Sequence, residues 1–295
     1  MPLQVQIFME TLLNGLTLGG LYALVTLGLA LTFSVIGIVN FAHGDLFMVS
    51  GYTLFVLLNM RAAFLPYPVI IVVVIGMCAL YAVLMARVAI HPIIEKTWRT
   101  HAVATLGVSI ILQNAALVYF TGDPRQVPTF LSTMIVSPFG IRTSVQRLLI
   151  VVVVVLVFIG LQWFVKRTKL GKTMRAVSQN REMCEVVGID VKRVAMVTFA
   201  IGGAITGLAA ALIAPLFSVY PTMGLLLTLK ALAAIVMGGM GHVNGALYSA
   251  FILGIVEAIF GTYVSFAYRD VISFGLFILI LFLRPQGLFG RRVGL

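Results

Sequence analysis

Apolar runs alternate with short polar breaks along the whole chain, covering about 12–36, 44–60, 66–88, 102–120, 147–165, 194–218, 225–240, 246–264 and 271–283. A helix needs roughly 20 apolar residues to cross ~30 Å of hydrocarbon, so most of these runs predict transmembrane helices. The runs 225–240 and 271–283 are short for a straight crossing, and only a few residues separate the first two. The pattern therefore predicts an all-α, polytopic integral membrane protein with eight or nine membrane segments, some broken or re-entrant. No stretch reads as a linker to a soluble unit, so residues 1–295 are expected to form one membrane domain. The N-terminus lacks a basic region and a small-residue cleavage site, and reads as the start of the first span.

Composition agrees: 61% of residues are hydrophobic, 10% are charged and the mean hydropathy is +1.12. Soluble domains carry about 25% charged residues, and a core of this size cannot hide so large an apolar excess. The net charge of +11 does not point to nucleic acid, because the basic residues sit between apolar runs and form no patch or stripe. They orient the chain instead. Placing the 166–193 loop in the cytoplasm leaves Arg61, Arg125, Arg142, Arg147 and Arg269 outside and Lys230 within a segment; all other Lys and Arg fall inside, as the positive-inside rule requires. The C-terminus is then cytoplasmic, and nine crossings put the N-terminus outside. The longest outer connection is 121–146, with Pro124, Pro128, Pro138 and Gly140. Cys78 and Cys184 suggest neither a disulfide framework nor a metal site.

Small residues recur at i+4 as Gly15, Gly19 and Ala23, as Gly203, Gly207 and Ala211, and as Gly241, Gly245 and Ser249. Such stripes let helix backbones approach closely. They fit simple helix packing; the first two also fit equivalent helices of an internal repeat, although no residue-level repeat is visible.

Three places put polar groups among apolar runs. Asn40, His43 and Asp45 lie in the stretch 37–46, between Gly37 and an apolar run. Polar groups and broken backbone at membrane depth belong beside a cavity or inside protein; alternatively this is an inner turn in which Asp45 caps the next helix and His43 is solvated. His242 and Asn244 lie in a glycine-rich break, 237–245, facing either a pore or solvent. Glu257 sits well inside an apolar run, as a path residue or as the structural partner of a neighbouring polar group. Together these six residues are the candidate translocation path.

The loop 166–193 is the long charged stretch. Asn180 suits a helix cap, Glu182 a first turn and Gly188 a stop, with Met174, Val177, Cys184 and Val187 as apolar contact points. The spacing predicts a short helix pair outside the membrane that docks on a partner, or a surface helix drawn to anionic membrane lipid. Gly171-Lys172-Thr173 resembles the end of a phosphate-binding loop, but Lys166 stands where that motif needs glycine. No zinc-protease helix or serine-nucleophile elbow occurs, so no catalytic residue is assigned and no cofactor or metal is expected on this chain.

Three stretches resemble the permeases of bacterial branched-chain amino acid ABC importers, specifically the LivH-type half. They are 15–52, which contains NFAHGD, 170–194 with the span that follows it, and the closing 281–290. The resemblance covers essentially the whole chain. It implies a bacterial inner-membrane complex with a second, LivM-type permease, two ATP-binding subunits carrying ATP and Mg2+, and a periplasmic substrate-binding protein. By the same resemblance, 170–189 is the segment that couples to an ATPase, with Arg175, Asn180, Arg181, Glu182, Glu185 and Gly188 as its working residues. Glu185-Val186-Val187-Gly188 stands where the broader importer signature has Glu-Ala-Ala before its glycine. The implied mechanism is alternating access for branched-chain or other small amino acids; related permeases carry urea or short amides. An ion-gradient transporter would be expected to show several intramembrane acids, and here Glu257 stands almost alone.

Overall fold

The computed structural model describes residues 3–59, 66–127, 129–137 and 143–289. Arg61, Pro128, Pro138, Gly140, Arg142, Gly290, Arg291 and Arg292 lie outside the described residues. The helices in chain order are α1 (Leu3–Ile36), α2 (His43–Asn59), α3 (Tyr67–Met85), α4 (Trp98–Phe120), α5 (Phe130–Thr133), α6 (Val145–Arg167), α7 (Lys169–Gln179), α8 (Arg181–Val186), α9 (Val191–Ile213), α10 (Met223–Gly238), α11 (Val243–Tyr263) and α12 (Arg269–Leu283). A two-residue hairpin, β1 (Ile135–Val136) with β2 (Thr143–Ser144), precedes α6. Among the described residues, seven helical stretches are long and apolar enough to cross a membrane, and α10 is a shorter apolar helix. With α2, which has 17 residues, these make nine segments in a multi-pass membrane bundle.

Local chemistry sets the breaks. Pro66 leads into α3, and Pro68 occupies its first turn, where a missing N–H costs no helical bond. At the far end of α3, Pro92 cannot donate and crowds the preceding turn. There the helix changes to a π turn (Ala86–Ile90) and then a 3-10 turn (His91–Ile93). Polar side chains inside spans return their hydrogens to the helix: Thr17 Oγ1 donates to the Leu13 carbonyl at 2.9 Å and Thr198 Oγ1 to that of Val194 at 2.7 Å. In lipid, every such group must find an internal partner.

The bundle is two inverted halves. In the first, a long helix (α1) is followed by a break, a short helix (α2), a longer helix (α3) and an outer helix (α4). The series α9, α10, α11, α12 repeats this order, and α9 runs opposite to α1. Contacts repeat as well: α1 packs on α11 as α9 packs on α3, α1 on α10 as α9 on α2, and α4 lies beside α2 as α12 lies beside α10. α1 and α9 cross at Gly28 and Gly202, where a Cβ on either would meet the other's carbonyl oxygen, at 2.7 and 2.9 Å. Gly15 and Gly19 lie against the backbone of Ile255 and Phe251 on α11, and Gly203 and Gly207 against Cys78, Ala79 and Ile75 on α3. These two stripes thus sit on equivalent helices. The third does not form one face, because Gly241 lies in the turn before α11 with φ +85.

Candidate functional site

The two short helices start inside the bundle, and their N-termini meet. After α1 ends, residues 37–42 turn back so that α2 begins level with Gly28 of α1 and Thr206 of α9. Gly44 of α2 lies against Gly224 of α10, and its N–H donates to Thr228 Oγ1 at 2.8 Å. Only glycines allow this approach: a Cβ on Gly224 would meet the Asp45 backbone nitrogen at 2.7 Å.

Asp45 lies at this junction, in the first turn of α2 and against the first turn of α10, fully buried. Each helix N-terminus carries roughly half a positive charge, so the carboxylate sits where two such ends converge. Its Oδ1 accepts from Gln113 Nε2 of α4 at 3.1 Å, and Gln113 also donates to Ser109 Oγ at 2.9 Å. Asp45 Oδ2 has no hydrogen-bond partner among the described residues. His43 is also buried. Thr206 Oγ1 lies 3.0 Å from the Gly202 carbonyl and 3.0 Å from His43 Nε2. Asn40 is buried and closes the turn by accepting from the Ala42 N–H at 3.1 Å. The solvated-turn reading of this segment is therefore corrected: Asp45 does stand in the first turn of α2, but His43 is enclosed by α1, α2 and α9.

A second polar cluster joins α1, α10, α11 and α12. Lys230 Nζ reaches Glu257 Oε2 at 2.7 Å and Oε1 at 2.8 Å, Tyr22 OH at 3.0 Å and Asp270 Oδ1 at 2.6 Å. Tyr22 and Ser273 each donate to Glu257 Oε2 at 3.0 Å. Arg269 Nε lies 3.7 Å from Glu257 and 3.8 Å from Asp270. The four formal charges cancel, which is how ionised side chains are tolerated away from water. Glu257 is thus paired, not isolated in its span.

At the opposite end, α7 and α8 form the expected helix pair outside the spans. Thr168 caps α7 through the Gly171 N–H at 3.0 Å, and Asn180 caps α8 through the Met183 N–H at 2.9 Å. Gly188 closes the turn after α8 with φ +83. Met174, Val177 and Cys184 are buried, whereas Val187 is exposed beside Met183 and Val186. Arg175, Glu182 and Glu185 are exposed, but Arg181 is engaged internally, donating to the Ile94 carbonyl at 3.2 Å with its Nε 3.5 Å from Glu185. His242 and Asn244 are exposed at the α10–α11 turn. They line a cavity of about 550 Å³ with Ser34, Gln162, Arg175 and Ser178, apart from the Asp45 junction.

The six candidate path residues therefore fall into three places: Asn40, His43 and Asp45 at the junction, Glu257 in the ion cluster, and His242 and Asn244 at the α7–α8 end. The partners Lys230, Tyr22, Ser273, Gln113 and Thr206 went unassigned in the sequence. Lys230 carried a signal, being a cation within a span that faces Glu257 once the 239–242 turn folds α10 onto α11 as a hairpin.

A family model described as "Branched-chain amino acid transport system / permease component" matches residues 11–281. Relatives include the high-affinity branched-chain amino acid transport system permease protein BraD of Pseudomonas aeruginosa, 34% identical over 96% of both chains. LivH of Escherichia coli K12, named for the same kind of system, is 31% identical over 96% of both chains. The ribose import permease protein RbsC of Escherichia coli K12 is 28% identical over 57% of this chain and 55% of its own. No solved structure gives a significant match.

Proposed function

The chain belongs to the family of branched-chain amino acid transport permeases, and on that premise we propose that it forms half of the membrane path of an ATP-driven importer for leucine, isoleucine and valine. The α7–α8 end faces the bacterial cytoplasm, as the basic residues crowded there favour. A second permease completes the path, two ATP-binding subunits sit beneath it, and a periplasmic binding protein delivers substrate from the other side. ATP binding draws the ATPase subunits together, and α7–α8 passes the movement into α6 and α9, which flank it in the chain. The two access states shift only as far as ATP and substrate bind them differently.

The observation that carries this reading is the exposed apolar face of α8 and its C-cap, Met183, Val186 and Val187, on a capped helix outside the spans. A solvated helix would have no use for that face, and a docking groove would cover it. Arg175, Glu182 and Glu185 are exposed around it as polar rim contacts, while Arg181 holds α8 on Ile94, just past the 3-10 turn that follows α3.

The test is co-purification of the tagged chain from its native membrane in mild detergent. The wild type should bring ATPase subunits and a second permease. The triple variant Met183→Asp, Val186→Asp, Val187→Asp should lose the ATPase subunits at least tenfold while keeping the second permease. A wild-type chain that emerges alone under conditions that hold ABC complexes together would refute the proposal.

A further inference from the structure

The ion cluster has a buried part and an open part. Lys230 and Glu257 are 4% and 1% exposed and hydrogen-bond each other, Tyr22 and Ser273, and Lys230 forms a further ion pair with Asp270. Arg269 and Asp270 are 33% and 38% exposed. The Arg269 guanidinium makes no hydrogen bond among the described residues; its Nε stands beyond hydrogen-bond distance of both acids, and the group lies 4.3 Å from the Phe266 ring centroid.

Arg269 lines two cavities at the end of the bundle opposite α7–α8. One, of about 180 Å³, has apolar walls that include Leu18, Leu21, Phe47 and Leu227, with Tyr22, Lys230 and Arg269 on its polar side. The other, of about 310 Å³, is bordered by Asn14, Arg147, Glu257 and Arg269. One water takes ~30 Å³ in the liquid, so even the smaller space admits a molecule of several heavy atoms.

We propose that Arg269 and Asp270 receive the carboxylate and the ammonium of a zwitterionic aliphatic amino acid whose side chain enters the apolar cavity. This rests on the importer reading and names the contact point within it. The guanidinium is a planar fork suited to a carboxylate, and its present carboxylate contacts are too long to compete. Asp270 Oδ1 is buried against Lys230 at 2.6 Å, so the exposed part of this side chain, beside the cavity and outside its lining, is what remains to accept an ammonium. Lys230 and Glu257 act behind them as positioning residues, fixing α10 and α11 against α12. Because the cluster is neutral, a zwitterion adds no net charge to it. An amine or a carboxylic acid would bring one unpaired charge into an apolar site, which is costly. The site thus selects for both charged ends of the substrate as well as for its side chain.

The experiment is leucine uptake by the complete complex, with its binding protein, in proteoliposomes supplied with ATP. Arg269→Gln and Asp270→Asn should each lower uptake at least tenfold while the complex co-purifies in wild-type amount, and Arg269→Lys should recover part of the loss. Uptake within twofold of wild type in both variants would overturn the proposal. So would a loss of uptake matched by an equal loss of assembled complex, which would mark a folding role. Failure of the wild-type complex to take up leucine would instead count against the importer reading itself.

Discussion

Glu257 accepts from Lys230, Tyr22 and Ser273, so its fate shows how a buried ion pair behaves in this bundle. Glu257→Gln removes the charge that Lys230 needs and leaves a buried ammonium short of a partner. Breaking one side of such a pair costs about 3–5 kcal/mol, whereas replacing both sides with apolar groups is often neutral. The expected result is a large fall in thermal stability for Glu257→Gln and a smaller one for Lys230→Met with Glu257→Met, read from melting of the purified protein. Equal losses for the two would mean that Lys230 and Glu257 are not coupled. The sequence marked Glu257 as odd because an acid in an apolar run is conspicuous, but it could not name the partner. Pairing depends on how α10 folds back on α11, which no local pattern carries.

The membrane segments, eight or nine by their pattern, were legible because runs of apolar residues in lipid leave little ambiguity about element type. The glycine breaks, with Gly37 at φ +73 and Gly239 at φ +95, marked where helices stop. What stayed hidden was depth. A helix surrounded by lipid or by other helices is apolar all round, so its pattern does not say whether it crosses fully or begins midway. Hence His43 could be read as a solvated turn, although α2 starts inside the bundle. The meeting of α2 and α10 sets a sharp steric demand. Gly224→Ala should collide with Asp45 and abolish the folded protein, whereas Gly107→Ala, with nothing within 4 Å of the added carbon, should be tolerated. Folded yield after size-exclusion chromatography decides this, and a normal yield for Gly224→Ala would remove the close junction.

Across the whole molecule, two inverted halves are joined where their short helices meet, with the ion cluster toward one end and the α7–α8 pair at the other. Inverted repeats place a common junction near the middle of the membrane, where rocking of one half against the other changes access from side to side. The stripes at Gly15–Gly19 and Gly203–Gly207 were the trace of this plan in the sequence. The rest was invisible because the halves share architecture and few residues. This account makes the chain a passive half-path whose direction of transport is set by ATP on other subunits. Its most direct test is uptake of labelled leucine by the reconstituted complex with ATP supplied on the α7–α8 side and no ion gradient. The account predicts accumulation that requires ATP hydrolysis and persists when proton and sodium gradients are collapsed. Accumulation that needs a gradient and ignores ATP would contradict it.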